Sequence, residues 1–556
     1  MIVAISKGNL DNLFEFCTNS INWIMKKNTR LLLSALSGLL LVIAFPPMPF
    51  YFLAFVSFVP LLYLLDVTKK FYFWNTYLTF FIYQVGTLWW ISSFQEKTDP
   101  FLMGSGFVLD IFHPFYFMVP VIFWLVIRIR LPRRFSLYLF PFIWATYEWS
   151  RTLSELSFPW ASVGYTQVYN TSWVQIADIF GVFGTSFVIV LINVVLYDLL
   201  INYKQGLSSL KHNKLQYSLL FLLIVLPTIY SNIQISKYNL NSLLKSNESI
   251  NIGLIQPNID PWDKWEAGPL DQVKTLINYS DEMLDSIPNI DLVIWPETSI
   301  LYLNNQFNLE HDFSFLSNWT DTNNITLLTG FVDIVVYDKE SAPTIAKDMY
   351  FRGEDVKYDN FNSALILDSN YYDIYHKMKL TPFGERVPHV EIFTFLTDFI
   401  DWGVGISFWG KGTDQKNLDI PNTGVKLAPI ICIESIYPSF VSEFSKKGAN
   451  LYTVITNDAW YDFTPGPEQH ALISAFRAIE NKRYLARAAN SGVTCFISPT
   501  GEIISRAEQY EKGFVAMTLP VIENVTFYSF YGNWFVYFCL LISTFFLFYS
   551  IFQKND

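Results

Sequence analysis

The chain divides by solubility, and that division limits what it can fold into. Seven apolar runs fill its first 230 residues, at about 31–45, 50–65, 71–92, 102–127, 136–149, 173–200 and 215–230, and an eighth occupies 525–552. A helix that crosses a bilayer needs ~20 mostly apolar residues, and inside hydrocarbon its backbone must satisfy its own hydrogen bonds. The runs are therefore read as spanning helices, of which the first, second and fifth are short. A chain that is 51% hydrophobic is too apolar for one soluble domain, yet the stretch between them has ordinary soluble composition. The expected organisation is a membrane domain of about seven helices over 1–236, an outer domain over 237–523, and a last helix with a short tail over 524–556. The first run lies behind thirty residues and lacks a small-residue cleavage site, so it is read as a retained span.

Orientation follows from Lys and Arg, which concentrate on the cytoplasmic side. With the N-terminus inside, the inner segments hold Lys7, Lys26, Lys27, Arg30, Lys69, Lys70, Arg128, Arg130, Arg133, Arg134, Lys204, Lys211, Lys214 and Lys554. The outer loops among the first seven runs hold only Lys97 and Arg151. Seven crossings then put 237–523 outside the cytoplasm, and the eighth brings the tail back in. That outer stretch carries 22 of the 38 basic and 38 of the 49 acidic residues, a net charge of −16 that leaves +5 elsewhere. Nucleic acid, which needs a basic footprint, is excluded as a partner, and strong adhesion to anionic lipid is not indicated. Cys17, Cys432, Cys495 and Cys539 have neither disulfide-type nor metal-type spacing, and no cofactor or metal site is expected.

Polar residues within or at the ends of spans are costly, so each is either functional or paired inside the bundle. Asp110, His113, Glu148 and Asp178 are such residues, and Arg151 is a possible partner for Glu148. The aromatic stretches at 71–74 and 89–90 are read as interface belts.

The outer stretch alternates between short β-rich runs and helical ones. Strands are expected at 251–258, 291–297, 325–335, 363–368, 425–434, 451–458 and 492–499, with helices near 270–286, 438–447 and 468–486. This pattern predicts an α/β sheet covered by helices. Three polar residues close or follow apolar runs: Glu297 after LVIWP, Lys377 after YYDIYH, and Cys432 after APII. Alone, each has an ordinary reading, a solvated loop residue or a small buried hydrophobe. Together they form a chemical set. A thiol is little ionised at neutral pH and needs a base, which a desolvated Glu supplies, while a Lys ammonium stabilises the oxyanion of a tetrahedral intermediate. Cys495, inside an apolar strand, is expected to be inert, and His470 to be a packing or helix-surface residue, with Asn457, Asp458, Arg477 and Asn490 bracing loops.

WPE at 295–297, HKMKLTPFGERVP at 376–388 and ICIES at 431–435 resemble the Glu-Lys-Cys signatures of the nitrilase superfamily of carbon–nitrogen hydrolases. QPNIDPWDKW at 256–265, EWSR and SFPWASVGY between 148 and 165, and TNDAWYDFTPGPEQH with RAIENKRYLARAANSGVT between 456 and 494 extend the likeness. With the flanking spans, nearly the full length resembles the bacterial apolipoprotein N-acyltransferases. The resemblance implies an αββα sandwich beside a multi-span α-helical membrane bundle. It implies Glu297 as general base, Lys377 as oxyanion-stabilising lysine and Cys432 as nucleophile, with Lys379 a rival to Lys377. It further implies support from Glu385, Glu434 and the backbone N–H of Ile433, and a substrate pocket that includes Trp265, Trp460, Glu148 and Arg151. Where these enzymes often have tyrosine after the cysteine, this chain has Ile433. The implied partners are a phospholipid acyl donor such as phosphatidylethanolamine and a diacylated apolipoprotein, met by a monomer in the bacterial inner membrane with its catalytic domain on the outer side. Two rival readings are a membrane-anchored amidase with the same three residues and a non-catalytic receptor or transporter. Seven preceding spans count against the first, and the joint presence of Glu297, Lys377 and Cys432 counts against the second.

Overall fold

The computed structural model describes residues 25–68, 71–92, 100–202, 213–261, 269–303, 314–343, 345–351, 353–390 and 408–552. The apolar runs are helical. They form α1 (Lys27–Ala44), α2 (Val59–Thr68), α3 (Phe73–Leu88), α4 (Pro100–Arg130), α5 (Arg133–Ser150), α6 (Ala177–Asn202) and α7 (Lys214–Lys237). Five described helices, within α1, α4, α6, α7 and the C-terminal Trp534–Phe552, are long and apolar enough to cross a membrane. The helix of the expected second span is shorter. It opens with a 3-10 turn, Tyr51–Phe55, before the ten residues of α2, and Ala54, Phe58, Leu61, Leu62, Leu64 and Leu65 are buried. Those side chains pack within the bundle. The last helix likewise starts at Trp534, because a short helix, Phe527–Tyr531, ends at Gly532 with φ +57°.

The bundle is pinned by buried aspartates. Asp66 of α2 pairs with Arg128 and Arg133 and accepts from Tyr197 Oη at 2.7 Å, and Asp198 of α6 pairs with Arg134 at 3.0 Å. Asp110 accepts from Ser92 Oγ at 2.9 Å, and Asp178 from Tyr230 Oη at 2.9 Å.

The stretch after α7 forms two sheets. Their strands are β1 (Ser249–Gln256), β2 (Leu292–Ile294), β3 (Ile300–Leu303), β4 (Thr326–Tyr337), β5 (Lys347–Phe351), β6 (Glu354–Leu367), β7 (Tyr372–His376), β8 (Leu418–Asp419), β9 (Lys426–Ile431), β10 (Leu451–Thr456), β11 (Leu485–Ala489), β12 (Cys495–Ile497), β13 (Ile503–Arg506) and β14 (Gly513–Pro520). One sheet has the order β14-β1-β2-β4-β6-β5, with β3 beside β4 and β7 beside β6, and the other runs β13-β12-β11-β10-β9-β8. Side chains alternate across a strand, and the first sheet uses both faces. Ile252, Leu254, Leu292, Ile294 and Ile366 meet Leu427, Ile430, Val454 and Ala488 of the second sheet. Val293, Trp295, Leu327 and Leu365 pack instead under α8 (Pro269–Ser286) and α9 (Ser314–Asn323). On the second sheet lie α10 (Pro438–Lys446) and α11 (Gly466–Asn481). The result is an αββα sandwich. The helix expected over 468–486 ends at Asn481, since the last part of that run is strand β11, buried between β10 and β12.

Helix α11 also ties the sandwich to the bundle. Gln469 Oε1 accepts from the indoles of Trp90 and Trp160 at 3.1 and 2.9 Å, and Arg477 donates to Tyr165 Oη at 3.2 Å. Just beyond its end, Lys482 donates to Gln175 Oε1 at 2.5 Å. Trp90, expected in an interface belt, is therefore turned inward and only 3% exposed, whereas Trp89 and Trp74 are exposed. The deepest link is Glu480, whose Oε1 accepts from the backbone N of Val182 at 2.8 Å, where α6 breaks at Gly181.

Gly181 has φ +66°, and a Cβ there would stand 2.4 Å from the Tyr528 ring. Left-handed backbone costs other residues ~1–2 kcal/mol and overpacking ~1–3 kcal/mol more. Gly181→Ala is expected to lower stability by about 2–5 kcal/mol, read as a lower apparent Tm in detergent. Gly104→Ala, with no atom within 4 Å of its added Cβ, should leave the Tm unchanged.

Candidate active site

Three strand ends converge. Glu297 follows β2 across Trp295 and Pro296, Lys377 follows β7, and Cys432 follows β9. Cys432 opens a 3-10 turn, Cys432–Ile436, with φ +48°, and Thr298 beside Glu297 has φ +50°. Left-handed backbone on such residues persists only where the surroundings enforce it, and it clusters at functional sites.

Lys377 is 1% exposed and lies between two carboxylates, donating to Glu297 Oε1 at 3.0 Å and Glu385 Oε1 at 2.7 Å. Asn362 of β6 repeats the bridge: its Nδ2 donates to the same two oxygens at 2.7 and 2.9 Å, and its carbonyl accepts from the backbone N of Lys377 at 2.8 Å. Glu297 Oε2 accepts from the backbone N of Asn457 at 2.9 Å, and Glu385 Oε2 from that of Thr381 at 2.8 Å. Burial works against the Lys377 charge, but Glu297 and Glu385 outweigh it and hold the ammonium well above its usual range. Burial likewise pushes Glu385 up, and Lys377 with its hydrogen bonds brings it below the usual carboxylate range. The Cys432 thiol is raised by burial first and then by Glu297, with Lys377 opposing. A sulfur in these surroundings favours the thiol form, and to act as a nucleophile it would need a neighbouring base.

Glu434 is fully buried and faces away from that cluster. Its Oε1 accepts from Tyr375 Oη at 2.8 Å and from the backbone N of Met378 and Lys379 at 2.7 and 3.2 Å, while Oε2 accepts from Ile431 N at 2.9 Å. It clamps the Lys377 loop to the Cys432 turn. Burial raises its carboxyl to about 7 despite these bonds. His470 of α11 lies 3.1 Å from the Cys432 carbonyl oxygen, 2.9 Å from Ser435 Oγ and 3.0 Å from Asp458 Oδ1. It braces the turn from behind. Lys379 lies over the rings of Tyr437 and Phe440, away from both carboxylates that hold Lys377. Cys495 is wholly buried, its thiol pushed up to about 12.

A cavity of about 950 Å³ contains Glu297, Lys377, Glu385, Cys432 and Ile433 in its wall. Trp460, Phe383 and Tyr461 line it on the sandwich side, and Arg151, Phe158 and Trp160 on the loop after α5. Its far wall is one face of α4, with Val108, Phe112, His113, Tyr116 and Val119. Glu148, expected in the pocket, is fully buried and is not part of the cavity wall. It accepts from Trp144 Nε1 and Val163 N, both at 2.8 Å, and does not pair directly with Arg151, which donates to Ser162 Oγ at 3.1 Å. A fully buried carboxylate takes the nearest N–H groups, and these belong to its own helix and the next loop. Trp265 lies outside the described residues. Asn362 was missed from the sequence, since an Asn within a strand carries no local signal of catalysis. Asn490 joins the site indirectly, its Nδ2 donating to Asn457 Oδ1 at 3.0 Å. Among the described residues no cluster could hold a metal ion.

Comparison with known proteins matches residues 37–195 to the family described as Apolipoprotein N-acyltransferase N-terminal domain and 251–524 to Carbon-nitrogen hydrolase. The chain is 31% identical to a protein of Chlorobaculum tepidum named Apolipoprotein N-acyltransferase, over 92% of this chain and 94% of that one. A protein of the same name from Geobacter metallireducens is 28% identical, over 92% and 93%. Among solved structures, Nit3 of Saccharomyces cerevisiae, a member of the nitrilase superfamily, covers 49% of this chain and 90% of its own at 15% identity and a TM-score of 0.36.

Two expectations follow from the geometry. Lys377→Met strands two buried carboxylates and should cost about 3–5 kcal/mol of stability; adding Glu385→Gln should restore part of it, as measured by denaturation in detergent. Glu434, with a folded pKa of about 7 above the usual ~4.3, contributes stability that is present at low pH and lost as pH rises through 7. Between pH 6 and 8 the wild-type Tm should fall relative to that of Glu434→Gln, which cannot titrate.

Proposed function

This chain belongs to the apolipoprotein N-acyltransferase family, and from that premise we propose that it moves a fatty acyl chain from a membrane phospholipid, through a thioester on Cys432, to the α-amino group of the N-terminal diacylglyceryl-cysteine of an apolipoprotein. The observation that carries this reading is the shared cavity. One space of about 950 Å³ has the Cys432, Glu297 and Lys377 cluster in one wall and the apolar face of a helix of membrane-crossing length in the other. Phe112 and Tyr116 on that face are each 57% exposed, so the cavity meets the surface where lipid would lie. A small-amide hydrolase has no use for such a wall; an acyl chain does.

The chemistry runs in two halves. Glu297 takes the Cys432 proton as sulfur attacks the ester carbonyl of the donor. Lys377, which keeps its charge throughout, and the backbone N–H at Ile433 hold the oxyanion. The C–O bond then breaks, and Glu297 returns the proton to the departing lysophospholipid hydroxyl. In the second half the acceptor amine attacks the thioester carbonyl, Glu297 accepts the amine proton, the C–S bond breaks, and Glu297 passes that proton to the departing sulfur, restoring the thiol and its own carboxylate. One thiol serving both halves means ping-pong kinetics. Burial of the site keeps water from the thioester. The division of the chain into 1–236, 237–523 and 524–556, the placing of the sandwich outside the cytoplasmic membrane with both termini inside, and a monomeric state are part of the same proposal, supported by the one-sided distribution of Lys and Arg.

Purified protein incubated with phosphatidylethanolamine should gain the mass of one fatty-acyl group, lose it on addition of a diacylglyceryl-cysteine peptide, and gain nothing as Cys432→Ala. Wild-type protein that stays unmodified across a panel of phospholipids while hydrolysing small amides would replace this reading with that of a membrane amidase.

A further inference from the structure

Behind the Cys432 turn lies a buried line of charge that the two half-reactions do not use. Arg487 of β11, wholly buried, donates to Asp458 Oδ2 at 2.8 Å, and Asp458 Oδ1 lies 3.0 Å from His470 Nδ1. At the other edge of the ring, His470 Nε2 lies 3.1 Å from the Cys432 carbonyl oxygen and 2.9 Å from Ser435 Oγ, and Ser435 Oγ itself donates to that carbonyl at 2.9 Å. A carbonyl oxygen only accepts, so the bond to it needs the proton on Nε2. Nδ1 is then satisfied in either form: neutral, it accepts from Arg487 Nη2 at 3.1 Å, and protonated, it donates to Asp458. Buried polar groups are costly unless bonded, and here each member of the line bonds the next and the last bonds one oxygen.

That oxygen belongs to a particular peptide. The Cys432 carbonyl and the Ile433 N–H are the two ends of one amide, and this N–H is the backbone donor given above to the oxyanion. Amide resonance joins the two ends. A donor on the oxygen therefore draws electron density from the nitrogen and makes its N–H a stronger donor, and bonds in such a chain strengthen one another by roughly 10–30% each. The same contacts hold the amide in place where the backbone of Cys432 is left-handed, with φ +48°. Cys432, Ile433 and His470 all border the cavity.

We infer that His470 is a positioning residue for acyl transfer: backed by Asp458 and Arg487, it holds and polarises the Cys432–Ile433 amide so that the Ile433 N–H meets the oxyanion as a strengthened donor. It takes no proton from the thiol and gives none to the substrate. The inference rests on the acyl-transfer reading above and adds to it the support of the oxyanion donor. Loss of one oxyanion donor costs ~10²–10³ in rate, so a donor that remains but loses its support should cost about tenfold.

The test acylates Cys432 in detergent with phosphatidylethanolamine and with p-nitrophenyl palmitate carrying an isotope-labelled carbonyl. Two quantities are read: the acylation rate divided by the rate of alkylation by iodoacetamide, a reaction that forms no oxyanion, and the infrared band of the thioester carbonyl. His470→Phe keeps a ring against Trp160, whose centre is 5.4 Å away, and loses both nitrogens. It should lower the ratio about tenfold at unchanged KM for the ester and shift the carbonyl band toward that of the denatured acyl-enzyme. His470→Gln, which keeps an N–H donor, should recover most of both. An unchanged ratio, an unmoved band, or a His470→Gln no better than His470→Phe overturns the inference. So does an equal loss of acylation and alkylation, the mark of a merely structural role. If His470→Phe does not fold, His470→Leu decides by the same two quantities. Wild type acylated by the ester and by no phospholipid removes the phospholipid reading and leaves this inference to stand or fall on the ester. Wild type acylated by neither removes both.

Discussion

The candidate site depends on one buried cation. Lys377 holds two carboxylates against each other that would otherwise repel, and they in turn keep it charged in a place where burial favours the neutral amine. Asn362 repeats the same two contacts with a neutral donor. Such a cluster has little room to move: displace one member and a charge is left in an apolar cavity. The same rigidity suits catalysis by preorganised charge, where donors must stand in place before the oxyanion forms.

Around this cluster each support comes from a different part of the chain. Glu434 fastens the Lys377 loop to the Cys432 turn, Asn457 fastens Glu297 to the end of β10, and His470 braces the turn from α11. Helix α11 continues past the site into the bundle, where Gln469 receives two indoles and Glu480 caps the break in α6. The sandwich and the helices thus share one core, and the wall of the cavity is built from both. On the proposed reading this is how a soluble hydrolase-like fold is put to work on lipids: the bundle supplies half of the binding site as well as an anchor.

The apolar runs, the strand–helix alternation and the three motifs around Glu297, Lys377 and Cys432 were all legible in the sequence, because each is local. A run of apolar residues has one way to satisfy its backbone in hydrocarbon, and a strand that ends in a reactive residue displays it at the edge of a sheet. What was not legible depends on contacts between distant residues. Asn362 bridges two carboxylates that lie 65 residues before it and 23 after it. Trp90 reads as an interface aromatic until Gln469, 379 residues away, accepts its N–H. Nothing in the second run shows that its helix opens with a 3-10 turn or which of its side chains pack inside the bundle.

Sequence by itself determined the separation into apolar ends and a soluble α/β middle, and the kinds of reactive group the chain carries, since hydropathy and residue chemistry need no partner to be expressed. Only the tertiary structure decided which charges are balanced. Glu148 and Arg151 stand three residues apart and look like a pair, yet one turns to Trp144 and Val163 while the other faces the cavity. Electrostatic balance in a buried site is set by distances of a few ångströms across the fold, and spacing along the chain does not encode them.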